Sequence, residues 1–404
     1  LTKITTSRSF CFALTLALCE LLTYLASDVV MPAMPQVVSD LDASPEFIPH
    51  ALNLYLLGGV LLQWLIGPLA DRYGRRPLLL GGCAFFCVAC LVTYWVDGIE
   101  MFNLLRLLQG IGLGFVVTVS YPALNEAFSE ADAVRMMALL ANIALLSPLL
   151  GPLVGTLLLE WVSWRWLFVL FGITAVLAWL ALYRFMPETL GVERRDGSRL
   201  EFQPIHLLPL LSGYAQLLGN RRFVAGSAAL GLIGLPLIGW IGLSPVLLIH
   251  DEGLSKMEYA LWQLPVFGGL ILGNLIINRI ADRYPLTSLV RGALWPFLAG
   301  LALALLATWI YPSVPSLVVG LSIYALGLGI GNAVLYRMTL FSSEQSKGLV
   351  SAMLGMITIA LLGLGGAVMA MFGAGASLLA FAVASGVAGV LALWPLRGVL
   401  KQQP

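Results

Sequence analysis

At 404 residues the chain is 59% hydrophobic and only 11% charged, with a mean hydropathy of +0.93. A soluble domain carries nearer a quarter of its residues as charges, so this composition excludes a soluble globular fold and calls for lipid as the solvent. A net charge of +1 leaves no basic surface for a nucleic-acid partner.

About 20 apolar residues cross a bilayer. Twelve such runs are legible, near 10–34, 50–70, 77–96, 101–122, 134–159, 164–186, 222–249, 258–281, 288–310, 314–338, 347–372 and 374–397. Each must be helical, because lipid offers no partner to an unpaired backbone group. The expected fold is therefore all-α. Lys3 and Arg8 ahead of the first run look like the start of a secretory leader, but the run from Phe10 to Met31 is too long for one and has no small-residue cleavage site. It reads as an uncleaved first helix.

The longest polar stretch, Pro187 to Asn220, divides the chain into a first half over 1–186, a linker over 187–220 and a second half over 221–404. Of the 22 lysines and arginines, all but three fall on the side of the membrane that holds the termini and this linker. Arg165 and Lys256 lie on the other side and Arg106 lies inside a helix. Positive charge marks the cytoplasmic face, so both termini and the linker are expected there. The halves echo each other. Ala70-Asp71-Arg72-Tyr73 follows the second run and Ala281-Asp282-Arg283-Tyr284 the eighth, while Gly110-Ile-Gly-Leu-Gly114 in the fourth matches Gly327-Leu-Gly-Ile-Gly331 in the tenth. Two matches in the same order point to a six-plus-six duplication, an architecture in which two halves rock about a central cavity.

Glu20 and Asp28 are the sharpest chemical signal. They stand eight residues apart in the first helix, with Tyr24 midway, which places them about 80° apart around it and about 12 Å apart along it. Acids in a membrane helix mark a substrate or proton path. A carboxyl group out of water favours its neutral form, so a proton can compete there with a cation or a hydrogen-bonding compound. The competing reading is snorkelling to the headgroups, to which Asp28, just before Pro32, is better placed than Glu20.

In the turn after the second run, Gly67 and Gly74 permit close approach and a tight turn. Asp71 is suited to accept from a helix N-terminus or to pair with Arg72, Arg75 or Arg76. Such a cluster can latch one conformation, against the plainer reading of a positive anchor. Arg106, in the fourth helix, needs a partner or water to be tolerated at that depth, and Gln109 is one turn away. In the fifth helix Pro148 and Pro152 weaken the backbone ladder while Gly151 and Gly155 permit tight helix contact. The five cysteines, Cys11, Cys19, Cys83, Cys87 and Cys90, lie in apolar runs without metal-ligand spacing and read as small buried hydrophobes. His50, His206 and His250 likewise show no metal pattern. No nucleotide-binding loop and no catalytic motif is present, so neither ATP-driven transport nor intramembrane catalysis is expected.

The turn Gly67–Pro77 matches the signature motif of the major facilitator superfamily. The chain resembles these transporters over essentially its full length, and among them the MdfA-type multidrug/proton antiporters. The likeness is carried by Cys19–Tyr24 with Asp28, the Gly67–Pro77 turn, Leu104–Gly110, Leu140–Ala144 running into Pro148, and Tyr336–Phe341. It implies twelve membrane helices in two six-helix halves around a central cavity. It also implies an inner-membrane exporter of diverse hydrophobic compounds, chloramphenicol-like and lipophilic-cation drugs among them, driven by protons, with no cofactor and no nucleotide; a monomer suffices. By the same likeness Ser147–Gly155 is an antiporter motif, although Thr156 stands where the family often has a second glycine, and Arg106 belongs to a proton-relay motif. Asp28, Glu20 and Arg106 are expected to couple protons. Tyr24, Tyr55, Gln109, Tyr121, Asn142, Trp240 and Phe267 are candidates to line the cavity, with plain packing as the competing role. An exporter of a single metabolite or sugar is the alternative.

Overall fold

The computed structural model describes residues 6–128, 136, 147–191, 207–281, 283–345, 347–373 and 375–401. Among these the regular structure is helical throughout. Ten helices are long and apolar enough to cross a membrane, a bent pair makes an eleventh span, and the shorter apolar helix Ser147–Leu159 follows the sequence stretch expected to open the fifth. The surface is the reverse of a soluble protein's. Leu14, Val88, Leu177, Val390 and Trp394 stand exposed while Glu20 and Arg106 are fully buried, as lipid demands.

The first span is not one rod. Helix α1 (Thr6–Asp28) stops short of Pro32, a 3₁₀ turn covers Met31–Ala33, and a short α2 (Met34–Asp40) follows. The second run, expected as one helix, breaks at Leu62 into α3 (His50–Leu61) and α4 (Gln63–Tyr73), inclined at 42°. Gly58 and Gly59 lie before the break and Pro68, which donates no backbone bond, lies after it. Then come α5 (Arg75–Val92), α6 (Ile99–Ala127), α7 (Ser147–Leu159) and α8 (Trp164–Phe185).

The expected linker contains a helix, α9 (Leu207–Gly219), while 192–206 lie outside the described residues. The remaining spans are α10 (Arg221–Ser244), α11 (Lys256–Ile280), α12 (Leu286–Ile310), α13 (Val314–Leu340), α14 (Lys347–Met371) and α15 (Leu378–Lys401). Their starts are written locally. Asn220 caps α10 by accepting from the backbone N–H groups of Arg222 and Phe223, and Ser255 and Glu258 form a reciprocal capping box on α11. At Pro245, which has no N–H to continue an α ladder, α10 passes into a π-helical turn, Pro245–Asp251.

The chain forms two compact units, Leu1–Val30 with Leu54–Leu207, and Met31–Asn53 with Leu208–Pro404. Within the second, α2 and the turn before it pack on Pro245–Asp251, and Lys256 Nζ donates to Gln36 Oε1 at 3.3 Å. Glycines set the helix spacing in both units. A Cβ on Gly58 would strike Leu107 of α6, and one on Gly110 would strike the Tyr55 carbonyl of α3. Likewise a Cβ on Gly273 would strike Leu326 of α13, and one on Gly329 the Leu270 carbonyl of α11. The glycine echo in the sequence is thus a pair of close backbone crossings.

Candidate functional site

Helix α1 brings both its acids into the first unit, where they meet different surroundings. Glu20 is 0% exposed and, among the described residues, neither carboxyl oxygen has a hydrogen-bond partner. Neither is it snorkelling, because nothing of it reaches the surface. Asp28, the last residue of α1, is 6% exposed and accepts from Ser147 Oγ at 2.8 Å. Gly151, one turn further along α7, makes this possible. A Cβ there would lie 2.5 Å from the Asp28 Cβ. The fifth-helix motif therefore touches the acid directly, and its first residue, Ser147, is a partner of Asp28 that reading the sequence did not pair with it.

Arg106 on α6 is fully buried, as depth in an apolar helix requires of a residue that must find partners. Its Nη1 donates to the Ala26 carbonyl at 3.1 Å, between the two acids on α1, and to Gln109 Oε1 at 2.7 Å. The guanidinium lies 4.5 Å from the Tyr55 ring centroid and 5.9 Å from that of Phe168, contacts that a delocalised cation favours. Arg106 and Asp28 are close enough for their charges to interact. Gln109 in turn donates to Thr93 Oγ1 at 2.9 Å and to the Ala89 carbonyl at 3.4 Å, and the Tyr55 hydroxyl donates to the Thr23 carbonyl. Asp28, Arg106, Gln109 and Tyr55 thus belong to one network spanning α1, α3, α5, α6 and α7.

The other expected residues sit elsewhere. Tyr24 is half-buried on α1 and engaged with neighbours. Trp240 and Phe267 are buried in the second unit, where Trp240 meets the Phe381 ring edge-on at 5.9 Å and its Nε1 has no partner among the described residues. Asn142 and the side chain of Tyr121 lie outside the described residues. On α7, Gly151, Pro152 and Gly155 are buried and Pro148 is half-buried.

The turn between α4 and α5 forms a second polar cluster. Asp71 pairs with Arg75 at 2.6 Å, and Arg75 also takes both oxygens of Glu126, at 3.0 and 3.3 Å. Arg72 is exposed over the Tyr73 ring, whereas Arg76 donates to the Tyr183 carbonyl at 2.7 Å. The helix N-terminus is held by Glu188 rather than by Asp71. The Glu188 carboxylate accepts from the backbone N–H groups of Arg75 and Arg76, at 3.0 and 3.2 Å, where the helix dipole favours a negative charge. Gly74 makes the turn with φ of 106°, a conformation open to glycine. Gly67 differs from expectation: a Cβ there would meet nothing within 4 Å, so no close approach depends on it.

The fold and this polar network can be set beside known proteins. The family model of the Major Facilitator Superfamily matches residues 16–344. The chain belongs to that superfamily. It is 44% identical over 360 residues to the multidrug transporter MdfA of Yersinia pestis bv. Antiqua (strain Angola), covering 89% of this chain and 86% of the relative. It is 45% identical over 347 residues to the multidrug transporter MdfA of Escherichia coli O6:H1, covering 86% and 83%. The crystal structure of a D-xylose–proton symporter superposes with a TM-score of 0.73, covering 95% of this chain and 97% of that one at 16% identity. That distance shows the fold alone.

Proposed function

We propose that the protein is a multidrug exporter that exchanges hydrophobic compounds, cationic and neutral, for protons across a bacterial inner membrane. The observation that carries this reading is the Glu20 carboxyl, wholly buried in a membrane helix with no hydrogen-bond partner among the described residues, eight residues from a second buried acid. A bare carboxylate in that position costs several kcal/mol, about what isolated buried charges cost. Either a proton or a cationic guest removes that cost, and the two exclude each other. The names of the 44–45% identical relatives, multidrug transporters, fit such an exchange.

In the cycle we infer, Asp28 is the site of proton exchange and Glu20 sets the preference for cationic compounds. Arg106 holds the Ala26 carbonyl between them, so a change of charge at Asp28 alters its pull on α1. Ser147 and Gly151 pass the same change to α7. The Asp71–Arg75–Glu126 and Glu188 contacts latch the turn and open as the cycle proceeds. The halves over 1–186 and 221–404 move about the linker over 187–220, with both termini in the cytoplasm. A monomer in lipid carries out the cycle without nucleotide, cofactor or covalent catalysis. Recognition of one sugar is not favoured, since the likeness to a xylose symporter extends only to the fold.

The test is proton release from the purified protein in weakly buffered detergent solution on adding tetraphenylphosphonium. The wild type is expected to release protons, and Asp28→Asn to release none. Full proton-coupled efflux by Asp28→Asn in everted vesicles sinks the assignment.

A further inference from the structure

At the centre of the first unit, α1, α5, α6 and α8 leave a small cavity of about 10 Å³, room for a single water-sized sphere. Its lining includes the thiols of Cys19 and Cys83, with Leu22 and Phe86 beside them. These two cysteines lie 64 positions apart in sequence on different helices, yet both border this one cavity, which is no larger than a single water. Both are free and buried. The coupling network described above uses neither.

We propose that the Cys19–Cys83 pair is a binding site for a soft divalent metal ion that takes two thiolates in line, with mercury(II) as the ion that fits. Three observations narrow the class. Among the described residues no group of three or more His, Cys, Asp or Glu side chains is placed to hold a metal. Tetrahedral zinc and the hard cations, which need four or more ligands, are therefore excluded at this pair, while two sulfurs suit a soft ion. The cavity beside the thiols accepts one atom and no larger organic group. Charge then decides among soft ions, because none of the described residues lining the cavity is charged. Two thiolates around a monovalent silver or copper ion leave one negative charge buried among apolar side chains, which is costly. Two thiolates around a dication leave none. Binding is an exchange without redox change: each sulfur–hydrogen bond is replaced by a sulfur–mercury bond, and two protons leave to solvent per ion.

The experiment uses the full chain in detergent micelles with mercuric chloride, followed by a large excess of glutathione. A monothiol strips mercury held by a single sulfur but competes poorly against two sulfurs on one scaffold, whose effective concentration is high. Mass spectrometry of the intact protein is expected to show about one mercury retained per wild-type chain, less two protons, and the same for Cys11→Ser and Cys87→Ser. Cys19→Ser and Cys83→Ser are expected to retain none. Should either serine variant fail to give monodisperse protein, Cys19→Ala or Cys83→Ala, which keep the cavity apolar, replace it. Loss of mercury from the wild type under glutathione overturns the proposal, as does wild-type retention by a variant lacking Cys19 or Cys83.

Discussion

The first unit buries Glu20, Asp28, Arg75 and Arg106, whereas the buried polar side chains described in the second are neutral, among them Asn53, Ser244, Gln263 and Ser385. The two share a construction. In each, the second helix of the half crosses the fourth at glycines, α3 against α6 and α11 against α13. Close backbone crossings serve the fold in both, but ionisable groups, costly in lipid, are retained in one. On the function proposed above, the difference separates two tasks: the first unit handles charge, and the second, where Trp240 and Phe267 are buried, contributes apolar, aromatic recognition. That division suits loose recognition of many compounds.

Removing the charge at its centre tests this division hardest. Arg106→Met leaves the Ala26 carbonyl and Gln109 without their donor, and leaves Asp28 without its nearby cation. Transport into everted vesicles is expected to fall at least about a hundredfold, the equivalent of some 3 kcal/mol. In the second unit, Gln263→Ala removes the hydrogen bond to Ser244 Oγ at 3.3 Å. It is expected to cost about 1 kcal/mol of stability and to leave drug-induced proton release intact. If Gln263→Ala abolishes proton release, the division is wrong.

The shared construction is tested by Gly110→Ala and Gly329→Ala, each of which drives a methyl group into a backbone carbonyl of the facing helix. Both are expected to destabilise the protein by about 1–3 kcal/mol, read as lowered thermal unfolding temperatures in detergent. A drop in one and not the other would show that the units are not built alike. Gly151→Ala presses instead on Asp28, so a folded variant is expected to lose proton release, a readout that Gly329→Ala leaves alone. Glu188→Ala, which uncaps α5, is expected to cost about 1 kcal/mol in the same unfolding assay. The smallest effect belongs to Gly67→Ala, where a methyl group meets open space; it is expected to be neutral or to stabilise by up to about 1 kcal/mol.

The buried acids and Arg106 were legible because charge is so scarce in apolar runs that each instance stands out. Ser147 and Glu188 were not, for opposite reasons. A serine in a membrane helix is ordinary, and its meeting with Asp28 spans 119 positions. Glu188 lies in a polar stretch where acids are unremarkable, and its partners are backbone groups 112 and 113 positions away. The breaks at Leu62 and before Pro32 also escaped a reading based on apolar length, since a bend changes neither composition nor hydropathy.

The sequence by itself determined that the apolar runs are helices and placed the glycines on the fourth helix of each half. Lipid enforces these locally, run by run. Only the tertiary structure decided which neighbour each group meets. Gly110 and Gly114 face α3 and Gly112 faces α5, yet in the matching run the middle glycine, Gly329, faces α11 while Gly327 and Gly331 face α12. A helix with glycines on two opposite faces can be approached closely from either side, so the same five-residue pattern is compatible with both arrangements. Likewise Cys19 and Cys83 lie in separate apolar runs, and packing alone makes them a pair.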